Sequence, residues 1–352
     1  MVLAIASNQI PAVDSPGLTV RSGSSWQRIV EPVEPFLVSV AKSLEEQVDA
    51  FDSEVVPYAR YAMANRGKQL RPALVALAGN AVGTLNDGAV KVAVIIEMIH
   101  LATLVHDDIM DEASIRRRRP TLAANWGNQI SVLVGDCLFA RALELAASFP
   151  TSEVCRAVSS ATSTVCSGEI RQTMHRREFK LNRAQYFKIL GMKTGELFAQ
   201  SCDLGSWLCG ATPVQRAALR EYGLALGTAY QLYDDCVDLF GNEAGAGKSL
   251  GTDLATGKLT LPLIEVMERA KPADKQRLEA MLTQWKPEYA AQIVQLCEEY
   301  NAFEASRGVL RQILAEAVDC LKVVPASPNR EALSDLAQFL SQQTDALGVS
   351  KR

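Results

Sequence analysis

The stretch that most restricts the fold runs from Ala89 to Asp111. It is largely apolar and closes on His106-Asp107-Asp108-Ile109-Met110-Asp111. A helix over this stretch puts the carboxylates at i and i+4 one turn apart on one face, where like charges repel. The chain repeats the arrangement at Tyr233-Asp234-Asp235-Cys236-Val237-Asp238, again at the end of an apolar helical run. A single cluster of this kind is often just an exposed helix end. Two, each joined to a core helix, need positive charge between them. Carboxylate oxygens suit Mg²⁺, or Mn²⁺ in its place, held by one or two carboxylates plus the oxygens of a bound phosphate.

The rest of the chain reads as helical. From Glu34 onward apolar residues recur at 3–4 spacing, with Ala, Leu, Glu, Gln and Arg prominent. The pattern predicts helices over roughly 35–50, 53–65, 70–82, 88–113, 130–149, 152–178, 192–209, 213–240, 259–270, 288–300, 301–323 and 330–347. No stretch alternates with period two, so a sheet is not expected, and no Pro/Gly-rich linker divides the chain. The expected architecture is all-α, one large helical bundle around a central cavity, spanning residues 31–352. Residues 1–30 read as a disordered tail, with a cleaved transit segment as the alternative.

Composition excludes some classes. The net charge of −4 gives no reason to expect nucleic acid. Polar residues interrupt each apolar run, so no transmembrane segment is expected. The eight cysteines form no CxxC pair and fall within helical patterns, which predicts reduced core thiols and a cytoplasmic protein. Of three histidines, His100 and His106 directly precede the first acidic cluster. At about 100° per residue, His100 lies about 20° and Asp111 about 40° from Asp107, so all three share a face. An adjoining stripe, Ile95, Ile99, Ala102, Thr103 and His106, contains no bulky aromatic ring.

Cations recur where an anionic substrate would need them. Gly67-Lys68-Gln69-Leu70-Arg71-Pro72 sets Lys68 and Arg71 at a helix start, and Arg116-Arg117-Arg118-Arg119-Pro120-Thr121 follows the first cluster. Lys193-Thr194-Gly195 opens another helix. Gly247-Lys248-Ser249-Leu250-Gly251-Thr252-Asp253 and Gly257-Lys258-Leu259-Thr260 follow the second cluster. Each alone is ordinary, and together they surround two acidic faces.

These segments, taken in order with Gly135-Asp136, Glu169, Gln172 and Gln231, resemble the trans-polyprenyl diphosphate synthases over roughly residues 35–347. The resemblance implies the isoprenoid synthase fold and head-to-tail condensation of isopentenyl diphosphate with an allylic diphosphate. It implies that Asp107, Asp111 and Asp234 hold Mg²⁺, with Asp108, Asp235 and Asp238 as supporting ligands or water binders. It also implies that Lys68, Arg71, His100 and Arg117 hold the isopentenyl diphosphate. The allylic diphosphate would fall to Arg116, Lys193, Thr194, Gln231, Lys248 and Lys258. Asp136, Glu169 and Gln172 would orient neighbours, and His106 would pack or support. Gln69 stands where the family usually has Arg, and Arg118 where it usually has Gly.

In the family the product grows beside the first acidic helix, and aromatics four and five residues before the motif stop it. Thr103 and Ala102 occupy those positions, with Ile99 and Met98 a turn below. The expectation is a long product, octaprenyl or nonaprenyl, with geranylgeranyl or farnesyl as the shorter alternative and a homodimer as the assembly. A terpene cyclase would use an Asn/Ser/Glu second motif, an HD-type phosphohydrolase more histidines, and a regulatory subunit would have lost acidic motifs.

Overall fold

Helices make up nearly all of the computed structural model, which describes residues 25–64, 67–241 and 250–347. In chain order they are α1 (Ser25–Val30), α2 (Glu34–Val48), α3 (Val56–Ala64), α4 (Leu70–Asn80), α5 (Asp87–Met110), α6 (Leu122–Ala147), α7 (Glu153–Met174) and α8 (Arg183–Leu190). A π turn over Gly191–Gly195 leads into α9 (Glu196–Leu208). Then come α10 (Pro213–Phe240), α11 (Thr252–Thr256), α12 (Leu261–Arg269), α13 (Pro272–Thr283), α14 (Ala290–Glu299), α15 (Ala302–Cys320) and α16 (Pro328–Ala346). Local chemistry starts the two acidic helices. Asn86 Oδ1 accepts the Ala89 N–H at the head of α5, and Thr212 with Gln215 forms a capping box ahead of α10.

Helices α4 and α9 form the centre. Residues 72–79 of α4 and 196–206 of α9 are buried without interruption. Helices buried all round must approach one another closely, and glycine permits it. A Cβ on Gly205 would lie 2.4 Å from the Val75 carbonyl oxygen, and one on Gly223 2.5 Å from that of Phe198. These two seams pull α4, α9 and α10 together, while α5 packs on α4, α9 and along α6. The outcome is that the C-terminal ends of α5 and α10 face one cleft.

Several expectations need correction. Residues 25–30, assigned to the tail, form a helix whose Ile29 is buried and which packs on α16. A short hairpin exists: β1 (Ile115–Arg116) pairs antiparallel with β2 (Arg119–Pro120). Helix α6 begins at Leu122, not near residue 130, with a kink at Gly127 (φ 84°) inside it. Helices α8 and α13 were not foreseen. Each carried a start signal, an Asn182–Gln185 capping box and Pro272 in the first turn. Helix α5 is long and apolar enough to span a membrane by length and composition, but 67% of that window is buried in protein. Its apolarity is that of a central core helix.

The seams predict an asymmetry among glycine substitutions. Gly205→Ala should cost about 1–3 kcal/mol through overpacking. Gly308→Ala, in open space on α15, should gain about 0.5–1 kcal/mol. Urea denaturation of both variants measures the difference.

Candidate active site

Both acidic motifs sit at the wrong end of a helix for a carboxylate. The helix macrodipole leaves a partial negative charge at the C-terminus, and Asp107–Asp111 and Asp234–Asp238 occupy the last turns of α5 and α10. Repulsion between neighbours adds to this. The local structure answers by gathering cations.

At the first motif, Lys193 Nζ stands 3.9 Å from Asp107 Oδ2 and forms a close ion pair with Glu169. Burial raises Asp107 to about 6; Lys193 opposes the shift, and Glu169 and Asp111 reinforce it. Asp111 Oδ1 accepts from Arg176 Nη2 at 2.9 Å and lies 3.5 Å from Lys258 Nζ. Lys258 also reaches Asp253 Oδ1 at 3.4 Å. Burial alone would lower the Lys258 pKa, but Asp253, Asp111 and Glu169 outweigh it and raise the pKa. Asp108 points elsewhere: it is buried and accepts from Arg116 Nε at 2.5 Å. It therefore anchors the hairpin and leaves the cleft to its two neighbours.

The second motif divides its work in the same way. Asp235 is buried, accepting from Tyr186 Oη at 2.6 Å and Gln231 Nε2 at 2.9 Å. Burial, with Asp253 adding, pushes its pKa up to about 8. Gln231 Oε1 accepts from Thr194 Oγ1 at 2.8 Å, which links this network to the segment carrying Lys193. Asp238 Oδ1 accepts from Thr252 N (3.3 Å) and Oγ1 (3.0 Å), and Oδ2 from Asp253 N (3.0 Å). It caps α11 and fixes the turn that leads to Lys258. Asp234 is half-buried on the same helix end. Asp108, Asp235 and Asp238, expected as supporting ligands or water binders, thus have protein partners that orient the site.

A second group of cations gathers around His100, two turns before the first motif on α5. Lys68 Nζ and Arg71 Nε are buried without a hydrogen-bond partner. Arg71 stacks 4.8 Å over the Phe198 ring. Burial lowers the Lys68 pKa to about 8. His100 is held well below the ordinary imidazole range by burial and then by Arg71, Arg117 and Arg116. A neutral imidazole still offers one N–H donor. Arg117 lies against Gly67, where a Cβ would meet its Nη2 at 2.4 Å. Lys68, Arg71, His100 and Arg117 therefore form one patch, in which Lys68 Nζ and Arg71 Nε are buried donors without a partner. Arg117 and Arg118 make the hairpin turn at φ 49° and 62°. Positive φ at both turn residues favours Gly or Asn, which explains why a glycine is the usual residue where Arg118 stands.

His106 packs over Gly135, with Nε2 3.1 Å from the Val132 carbonyl oxygen and 3.6 Å from Asp136 Oδ1. Met98, Ile99 and Ala102 are sealed in packed protein at 0%, 1% and 0% exposure. Thr103 is half-buried and donates to the His100 carbonyl oxygen at 2.8 Å. Lys248 lies outside the described residues. Sequence reasoning missed Tyr186, Arg176 and Asp253 as site residues. Asp253 had a signal in its Gly-rich motif, whereas Tyr186 and Arg176 are separated from the acidic helices by whole elements.

The donors fit a divalent cation in one specific way. Among the described residues no three His, Cys, Asp or Glu side chains cluster closely enough to hold an ion. Asp107 and Asp111, hard oxygen donors one turn apart, match an ion whose shell a bound diphosphate completes.

Comparison with known proteins agrees with this geometry. A family model described as polyprenyl synthetase matches residues 53–300. The octaprenyl diphosphate synthase of Escherichia coli (strain K12) is 32% identical over 318 residues, covering 90% of this chain and 98% of that protein. A short chain isoprenyl diphosphate synthase of Methanothermobacter thermautotrophicus is 33% identical over 281 residues, covering 79% of this chain and 86% of that protein. A polyprenyl synthase from Caulobacter crescentus CB15, complexed with calcium and isoprenyl diphosphate, superposes with a TM-score of 0.85 at 33% identity. The match covers 92% of this chain and 99% of that one.

The buried network predicts a role for Tyr186. Tyr186→Phe leaves one Asp235 oxygen without its donor and should cost about 1–3 kcal/mol, read by urea denaturation. Unaltered stability would show that the 2.6 Å contact contributes little.

Proposed function

The chain belongs to the polyprenyl synthetase family, and on that premise we propose that it condenses isopentenyl diphosphate head-to-tail onto an allylic diphosphate. The product is a long-chain all-trans polyprenyl diphosphate of octaprenyl or nonaprenyl length. The observation that carries the reading is the division of cations into two groups with different surroundings. Lys68 and Arg71 have buried donors unused and, with Arg117 and neutral His100, suit a diphosphate bound directly. Lys193 and Lys258 stand beside carboxylates, where an added diphosphate would be repelled without further positive charge. Asp107, Asp111 and Asp234 would hold Mg²⁺ there, and the bound ion would supply the positive charge that the leaving diphosphate needs.

The chain's own residues do the remainder. Lys193, Thr194, Gln231, Lys258 and Arg116 surround the allylic diphosphate and stabilise it as negative charge develops, with Lys248 expected to join them. The allylic carbocation left behind is attacked by the double bond of isopentenyl diphosphate, held by the second cation group. The departing diphosphate takes the proton, a task for which His100, beside three arginines, is poorly suited. Closely packed apolar walls keep water from the cation.

Overall identity does not decide product length, since long- and short-chain relatives match almost equally well. The argument is local. No aromatic stands at residues 98, 99, 102 or 103, so a growing chain meets side chains that can part. A homodimer fits the outer face of α6, where Val132, Leu133 and Leu143 are exposed; a second copy of that face would cover them. Eight unpaired cysteines fit the reducing cytoplasm.

Two experiments test the proposal. Purified protein with farnesyl diphosphate, labelled isopentenyl diphosphate and Mg²⁺ should give octaprenyl or nonaprenyl products, and EDTA should abolish them. No incorporation would sink the activity, and products ending at geranylgeranyl would sink the length. Thr103→Phe, at the accessible position of the wall, should shorten the products. For assembly, Leu133→Glu should turn a dimer into a monomer in sedimentation velocity; a monomeric wild type would overturn the interface.

A further inference from the structure

Arg176 lies outside every motif that carried the resemblance, yet it reaches the centre of the site. Its Nη2 donates to Asp111 Oδ1 at 2.9 Å and its Nη1 to the Met110 carbonyl oxygen at 3.4 Å. Its Nε is buried with no hydrogen-bond partner. Lys258 Nζ is 3.5 Å from the same Asp111 oxygen. One carboxylate oxygen therefore has two cations on it. Asp253 takes a share of Lys258 but has no such contact with Arg176. Two cations thus face two carboxylates, Asp111 and Asp253, and the Arg176 Nε is left as a buried donor to spare.

The backbone holds this pair in place. Arg177 sits at φ 62° and its N–H donates to the Gly257 carbonyl oxygen at 2.7 Å. Gly257 is at φ 73°, and a Cβ there would come within 2.4 Å of Arg177 Cγ. The residue after Arg176 is thus stitched to the residue before Lys258. On the far side, Asp238 fixes α11, and the Lys258 N–H donates to the Asp253 carbonyl oxygen at 2.8 Å. Two segments distant in sequence arrive as one rim, each presenting a cation to the first acidic motif. If the pair served only to tie α7 to α5, one ion pair would do, and a second cation on the same oxygen would add repulsion.

We propose that Arg176 is a diphosphate-binding residue that holds the allylic diphosphate together with Lys258, turning to it from Asp111. The inference rests on the prenyltransferase reading above and adds a residue to it. A guanidinium is suited to this exchange because its planar fork can keep one contact while another N–H turns to a phosphate oxygen. Asp111 is freed for its other role when the diphosphate takes its place.

The test compares wild type, Arg176→Gln and Arg176→Lys by calorimetry in Mg²⁺. Farnesyl S-thiolodiphosphate, which ionises too slowly to react, probes the allylic site, and isopentenyl diphosphate probes the other. Arg176→Gln should weaken the farnesyl analogue by about 10- to 100-fold, the usual range for a lost hydrogen bond to a charged group. Isopentenyl diphosphate should bind within about twofold of wild type, and Arg176→Lys should fall between. Steady-state KM values should split the same way. Farnesyl analogue affinity unchanged in a folded Arg176→Gln protein would overturn the proposal. So would parallel weakening of both ligands with a lowered Tm, which marks a structural tie. A wild type that binds neither ligand removes the prenyltransferase reading itself, and this inference with it.

Discussion

Carboxylates at the C-terminal ends of two core helices are the constraint from which the rest of the site follows. The macrodipole, the neighbouring like charges and partial burial all act against them. A chain that keeps six such groups must bring cations from elsewhere, and here they come from four separate segments. Arg116 arrives on the hairpin, Arg176 after α7, Lys193 in the π turn and Lys258 after α11. The fold around the cleft delivers these four charges to the end of α5, while Asp235 and Asp238 at the end of α10 accept from Tyr186, Gln231, Thr252 and the Asp253 N–H. The glycine seams at Gly205 and Gly223 contribute by holding α4, α9 and α10 in close contact.

The acidic motifs also separate into two kinds of carboxylate. Asp107 and Asp111 face cations across the cleft, whereas Asp108, Asp235 and Asp238 each accept hydrogen bonds from a fixed protein partner. The second kind organises the first. Asp108 holds the hairpin, Asp235 collects Tyr186, Gln231 and through it Thr194, and Asp238 caps the helix that precedes Lys258. Preorganisation of this sort removes reorganisation from the reacting step.

Much of this was legible in the sequence because the information was local. The i, i+4 spacing gave the shared face of Asp107 and Asp111, and the apolar run before them gave a core helix. Positions of Lys193 and Lys258 near the acidic ends could be anticipated from motif order, whereas the grouping of Lys68, Arg71, His100 and Arg117 came from the family resemblance. What escaped was long-range or directional. Tyr186 meets Asp235 through tertiary packing with no periodic signal, and Arg176 looked like an ordinary charge at the end of a helix. The split roles within each motif were hidden too, since a spacing does not say which way a side chain is held. Gly127 and Pro272 are backbone signals whose meaning, kink or helix start, depends on what packs around them.

The turn at Arg117 and Arg118 sets backbone strain beside charge. Both residues occupy a left-handed backbone that costs a side-chain-bearing residue roughly 1–2 kcal/mol, and Arg117 is also part of the positive patch. Backbone ease and positive charge compete at Arg117. Glycine at 118 would relax the turn and leave Arg117 in the patch; with arginine at both positions the turn is stiffer and carries the strain. The strain of that turn thus falls on the residue beside a member of the positive patch, so relaxing it at 118 would free the loop without removing the Arg117 charge.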